Sequence, residues 1–266
     1  MRSATELLPE RAHAAGDHVH GLTLAGEHGR ALQVHALARE MIRRMREPEP
    51  MPAAEYEARG LIRRDMRERR HADAFRDLRT QLVARLDGRN GVILVAPVSA
   101  GAGASHIAMN LAAAFAFDES HTALLMDCNL RDPVLHARLG VDASEGGLTD
   151  FLDGDRLTIE SLIRPTGVPR LRLVPAGTPR EASSEYLASY RLRGLVEHLR
   201  SRYPDRYLVL DAPAIGTSPD ARILAQLADA VVVVAGYGSD TPAAIRSAVM
   251  TLEPTRVAGV VFNDAV

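Results

Sequence analysis

The stretch 95–112, VAPVSAGAGASHIAMNLA, runs an apolar segment into a glycine-rich turn that opens an apolar helix. Residues of these types in this order hold phosphate. Gly101 and Gly103 allow the backbone to approach an anion closely, and the first N–H groups of the helix, with the positive end of its dipole, face it. Ser105 offers a hydroxyl to Mg²⁺. The residue after Gly103, where such loops carry lysine, is Ala104. All 32 basic residues are arginine, so no lysine elsewhere in the chain can replace it. The nearest arginines in sequence, Arg89 and Arg131, lie outside the loop.

Two further segments carry polar groups behind apolar runs. LLMDCNLRDPVLHARLG (124–140) ends its run in Asp127, followed by Asn129 and Arg131. A carboxylate there can hold a metal ion or its water; Asn129 can hydrogen-bond but cannot act as a base. Cys128 reads as a small buried residue. YLVLDAPAIGTSPDARILAQLADAVVVVAG (207–236) ends its run in Asp211, placed as the acid that supports Mg²⁺ from the second side in a phosphate-loop protein. Asp220 and Asp229 read as a helix N-terminal cap and a loop residue before a strand.

These groups need a scaffold. Compact apolar runs at 92–97, 122–127, 171–176, 206–211, 230–236 and 257–263 predict strands buried on both faces of a parallel sheet. Amphipathic segments lie between them, with Leu192, Leu195, Val196 and Leu199 on one face. The pattern predicts an α/β fold: a doubly wound, mainly parallel sheet with helices on both faces and a helical N-terminal extension. Ligands in such folds sit at the carboxyl ends of strands, where every motif above falls. Residues 53–88 read as helical, with Phe75, Leu78, Leu82 and Leu86 on one face. RRDMRERR (63–70) reads as a solvated helix face, or else as a contact for an acidic partner or anionic lipid. Residues 1–52 read as a flexible or partly helical extension, with a helix over 31–45 ended by REPEPMP, and residues 53–266 as the domain. The histidines of the extension are not at ligand spacing.

Composition excludes several classes. A net charge of −2 argues against bulk nucleic-acid binding. No apolar run approaches the roughly 20 residues that span a bilayer, and the start lacks the apolar core of a secretory signal. One cysteine excludes an internal disulfide and a cysteine metal cluster. The expectation is a cytoplasmic protein.

Taken in order, the three motifs resemble the bacterial tyrosine kinases of capsule and exopolysaccharide synthesis, within the phosphate-loop ATPases of the Mrp, MinD and ParA types. The resemblance covers 53–263 and is strongest in LLMDCNLRDPVLHARLG and LVLDAPAIGTSPDARILAQLAD; GGLTDFL (146–152) and LRLVPAGTP (171–179) share it. It implies a nucleotide on Gly101, Ala102, Gly103, Ala104, Ser105 and His106, with Arg131 nearby and Asn263 near the adenine. It implies Mg²⁺ on Ser105, Asp127 and Asp211, the two acids being catalytic if any activity remains. In DAFRDLRTQL (73–82), Asp73, Arg76 and Arg79 match a motif of ring assembly, with Asp for Glu. The upstream GLIRRD looks like forms encoded as separate cytosolic chains beside a membrane chain-length regulator.

The departures fall at the working positions. The loop lysine is Ala104, the second lysine of the MinD and ParA types would fall near Ser99, and the second acid of the D-x-D pattern is Asn129. Tyr56, Tyr186, Tyr190, Tyr203, Tyr207 and Tyr237 form no cluster, so the family's tyrosine-rich target is expected to be missing. Losing a charged hydrogen bond costs about 1.5–3 kcal/mol, roughly 10- to 150-fold in affinity. Transfer suffers more, because it rests on electrostatic stabilisation of the moving group. The resemblance therefore implies a degenerate accessory protein of exopolysaccharide synthesis or export, peripheral to the inner membrane through a partner. Mg-ATP or Mg-ADP would bind weakly or not at all. Expected partners are a membrane chain-length regulator, an active kinase paralogue or further copies of the chain, with no nucleic acid. The alternatives are an active tyrosine kinase or ATPase with atypical phosphate contacts and a divergent partitioning ATPase.

Overall fold

Apolar runs form most of the strands, as expected where both faces of a sheet are covered. The computed structural model describes residues 49–65, 69–154 and 157–264, together with 40, 42 and 47. Its strands are β1 (Val92–Pro97), β2 (Thr122–Asp127), β3 (Arg164–Pro165), β4 (Leu171–Val174), β5 (Arg206–Asp211), β6 (Ala230–Gly236) and β7 (Val257–Asn263). They make one seven-stranded sheet in the order β3-β4-β2-β5-β1-β6-β7. All neighbours run parallel except β3 against β4. The fourth strand ends at Val174, two residues before the apolar run does, and the short antiparallel β3 has no counterpart among the predicted strands.

Helices cover both faces. Helix α2 (Arg69–Arg85) and α3 (Ala104–Ala116) pack on one side, where Phe75, Leu82 and Leu86 meet Ile93 and Val95. The helices Tyr190–Arg202 and Asp220–Ala225 pack on the other, where Leu192, Leu195, Val196 and Leu199 meet Val92 and Leu94. Successive residues of one strand thus feed two cores. Alanine-rich α3, apolar on almost every side, is buried along nearly its whole length, and it is the helix that the glycine-rich turn opens.

The helix predicted over 53–88 is two. Helix α1 (Ala53–Ala58) stops before Gly60, which takes a left-handed φ of 64°, and α2 begins only at Arg69. The buried Asn110 of α3 fixes the break: its Oδ1 accepts from Ile62 N at 2.7 Å and its Nδ2 donates to Gly60 O at 3.0 Å. Arg63 and Arg64 therefore lie in a connection, not on a helix face, and pair with Asp65 and Glu119.

Upstream, the chain is stitched to the domain before residue 53. Met51 is buried and its N–H donates to Gly167 O at 2.8 Å. Glu47 accepts from Arg170 N at 3.0 Å and pairs with Arg172 at 3.1 Å. Most of the helix predicted over 31–45 and the histidine-bearing start lie outside the described residues; 40 and 42 are helical and Ile42 is buried. Among the described residues no helix is long and apolar enough to cross a membrane.

Candidate functional site

The turn between β1 and α3 has the shape of a phosphate loop. Gly101 and Gly103 both take φ of 84°, a conformation that favours glycine. Gly103 is doubly constrained, since a methyl group there would run into the Asn263 amide. That amide donates to Ala102 O at 3.0 Å, so Asn263 at the end of β7 braces the loop from behind. Ala102 and Ala104 are buried, and the loop faces a cleft of about 500 Å³. Five of the residues expected at a nucleotide, Gly101, Ala102, Gly103, Ala104 and Ser105, line this cleft.

The opposite wall follows β2. Asn129 folds into its own turn, donating to Asp132 O at 2.9 Å and accepting from Asp132 N. Arg131 lines the cleft and is anchored at one point, its Nε donating to Ser183 Oγ at 3.0 Å. Ser183 passes a hydrogen bond to the buried Asp220 at 2.5 Å, and Ser184 supplies a second. Asp220 is thus the first residue of the helix Asp220–Ala225 and a buried acceptor rather than a helix cap. Asp229 is the expected loop residue before β6, accepting from Val92 N at 2.9 Å. Arg138, on α4 (Leu135–Leu139), also lines the cleft. Inspecting only arginines near the loop in sequence misses it; the usable signal was a charged residue on the short helix that follows the strand ending in Asp127.

Asp127 and Asp211 end neighbouring parallel strands in register and are fully buried. Asp127 is satisfied by backbone: its carboxylate accepts from Asn129 N at 3.2 Å, Val134 N at 3.1 Å and Leu135 N at 3.0 Å. Burial pushes its pKa up to about 6 against the pull of those three N–H groups. Neither oxygen of Asp211 has a hydrogen-bond partner. Burial, then the charge of Asp127, drive its pKa well above the ordinary carboxylate value. The Ser105 hydroxyl and the Arg138 charge lie near enough to pull it back, without a full hydrogen bond closing on either oxygen. A buried carboxylate with no donor asks for a proton or a cation. Ser105 and Asp211 therefore fit Mg²⁺, while three of the roughly four acceptor positions of Asp127 are already taken by backbone.

Other expected site residues lie elsewhere. His106 turns away from the cleft, against Gly60 and edge-on to Phe75, ring centroids 6.4 Å apart. On α2, Asp73 pairs with Arg76 at 2.7 Å, Arg76 donates to Arg64 O at 3.1 Å, and Arg79 donates to Ala114 O at 3.0 Å. Cys128 is buried, as its size predicted. A larger cavity of about 780 Å³ lies beside residues 143–146 and 177–179, but its carboxylates Glu145, Asp150 and Asp153 are each bonded, to Arg164, Thr178 and Arg180. The smaller cleft holds the open chemistry. Among the described residues, no group of three or more His, Cys, Asp and Glu side chains is placed to hold a metal ion.

No family model matches the chain. It is 31% identical over 196 residues to the tyrosine-protein kinase Wzc of Salmonella typhimurium, across 72% of this chain and 26% of Wzc. It is 32% identical over 174 residues to the tyrosine-protein kinase CpsD of Streptococcus pneumoniae, across 65% of this chain and 75% of CpsD. The chain belongs to the bacterial tyrosine-kinase family. The succinoglycan biosynthesis transport protein ExoP of Rhizobium meliloti is 31% identical over 201 residues, 72% of this chain and 25% of that one. The chain therefore spans about a quarter of the length of Wzc and of ExoP. Among solved structures, the BceF tyrosine kinase domain is 28% identical with a TM-score of 0.65, covering 82% of this chain and 91% of that domain. The fold is shared more widely: MinD of Pyrococcus horikoshii, solved with Mg-ADP, superposes with a TM-score of 0.54 at 22% identity, over 64% of this chain and 68% of MinD. As a bacterial tyrosine-kinase homologue with the phosphate-loop fold, the chain keeps the loop's backbone and one open acid, and lacks the loop's cation.

Proposed function

We propose that this tyrosine-kinase homologue has kept a nucleotide cleft, has lost phosphoryl transfer, and serves polysaccharide synthesis or export by binding a partner. The observation that carries the reading is the pairing of an intact loop backbone with a buried, uncharged Ala104. Backbone N–H groups of 101–105 would hold phosphate oxygens, and Ser105 and Asp211 would hold Mg²⁺, which when bound neutralises phosphate charge. The missing cation acts on the transition state more than on ground-state binding, so transfer falls further than affinity. Asn129, closed into its own turn, supplies no second acid. The partner is a membrane chain-length regulator, an active kinase paralogue or copies of the chain, and it would bring the protein to the cytoplasmic face of the membrane.

Purified protein incubated with Mg-ATP is expected to form no phosphotyrosine, and to capture its regulator with or without nucleotide. In calorimetric titration, Ala104→Lys is expected to bind Mg-ADP roughly 10- to 150-fold more tightly than wild type. Arg131 and Arg138 on the cleft wall favour a second reading, an active kinase with atypical phosphate contacts. Phosphotyrosine on the wild-type protein would decide for that reading and against the first.

A further inference from the structure

Among the described residues, the Arg138 guanidinium has neither a hydrogen bond nor an ion pair, although it stands on the wall of the cleft that the phosphate loop faces. The helix that carries it is held at both ends. Asp127 receives the N–H groups of Val134 and Leu135 at its start. At its finish the Arg59 guanidinium of the α1–α2 connection donates to Leu139 O, beside Gly140 in a left-handed turn of φ 60°. The acid expected to bind metal thus also fixes a five-residue helix whose free cation lines the phosphate cleft. Arg131, tied through Nε alone, leaves the rest of its fork to the same cleft.

We infer that Arg138, assisted by Arg131, replaces the missing loop lysine within the same chain and holds the terminal phosphates of a nucleoside di- or triphosphate. The inference rests on the reading of the cleft as a nucleotide site. A guanidinium presents a planar fork of donors that matches two phosphate oxygens at once, and it is charged at every working pH. The Arg138 charge already bears on Asp211 at the base of the cleft.

Calorimetric titration of the full chain with Mg-ADP and with AMP tests this, using wild type, Arg138→Ala, Arg138→Lys and Ala104→Lys. Wild type is expected to bind Mg-ADP. Arg138→Ala should weaken that binding roughly 10- to 150-fold, as expected for a lost charged hydrogen bond, and Arg138→Lys should weaken it less. AMP, which lacks the terminal phosphate, should bind wild type and Arg138→Ala equally. Because Arg138 is exposed and unbonded, the variants should melt as wild type does, and a thermal scan checks that they fold. Equal Mg-ADP affinity in wild type and Arg138→Ala overturns the inference and leaves the nucleotide reading standing. So does binding by Ala104→Lys alone, with none by wild type. Failure of both proteins to bind removes the nucleotide reading and the inference together.

Discussion

Asp127 and Asp211 end adjacent strands at the same level of the sheet, both fully buried, and their surroundings are opposite. Three backbone N–H groups converge on Asp127, and none reaches Asp211. Burial therefore does not separate an acid that builds the fold from one that awaits a ligand; the donors around it do. A satisfied buried carboxylate organises backbone, here the turn into α4. An unsatisfied one is destabilising on its own, and its retention makes sense where a cation or proton completes it.

The contrast can be broken most forcefully at Asp127. Asp127→Ala strands three N–H groups, two of them at the start of α4, at about 1–3 kcal/mol each, so an unfolding free energy lower by about 3 kcal/mol or more is expected in denaturant titration. A loss below about 1 kcal/mol would mean that Asp127 is not the fastener. The partner change works in the other direction. Asp211 holds its proton more tightly folded than unfolded, so wild-type stability falls as pH rises from the ordinary carboxylate range, about 4, through the raised folded value. Asp211→Asn removes that penalty. Its melting temperature should exceed wild type at pH 8 by about 2–4 °C, equivalent to about 1 kcal/mol, with the gap closing toward pH 4. A constant gap across that range would show that the carboxylate's charge is not what destabilises. The smallest effects concern α2, where Arg79 and Arg76 are both bonded but differ in burial. Arg79→Ala, losing its bond to Ala114 O, should cost about 1 kcal/mol, and Arg76→Ala, an exposed pair three residues apart, about 0.2–0.5 kcal/mol. If α2 joins copies of the chain, sedimentation will register Arg76→Ala although stability does not.

Five strands carry the bounds of their apolar runs; in β1, β2, β5 and β6 both faces are covered and continuous apolarity is the whole signal, whereas β7, at the sheet edge, was expected to be buried and is only half-buried, with Gly259 and Phe262 exposed. Arg164 and Pro165 have no such signal; they pair at an edge, through backbone, and nothing in their side chains announces it. The break after α1 was hidden for a different reason. Gly60 hints at it, but what fixes it is the carboxamide of Asn110, 48 residues past the bonded Ile62. The loop and both acids were legible from residue type and position behind a strand. That Asp127 receives the start of α4 and that Arg138 lines the cleft depended on how that helix is seated, and that His106 faces the connection before α2 depended on how α3 meets that connection; local spacing encodes neither.

The seating of the N-terminal strap has a consequence for how the protein is made. Glu47 meets Arg170 and Arg172, 123 and 125 residues later, and Met51 meets Gly167. A ribosome delivers the strap first and its docking site only after β1, β2 and β3 have been translated. At about 5–20 residues per second, the strap waits at least several seconds for a surface on which to settle. Its docking site is nonetheless complete before β5, β6 and β7 emerge, so the strap can settle while those three strands of the sheet are still to come.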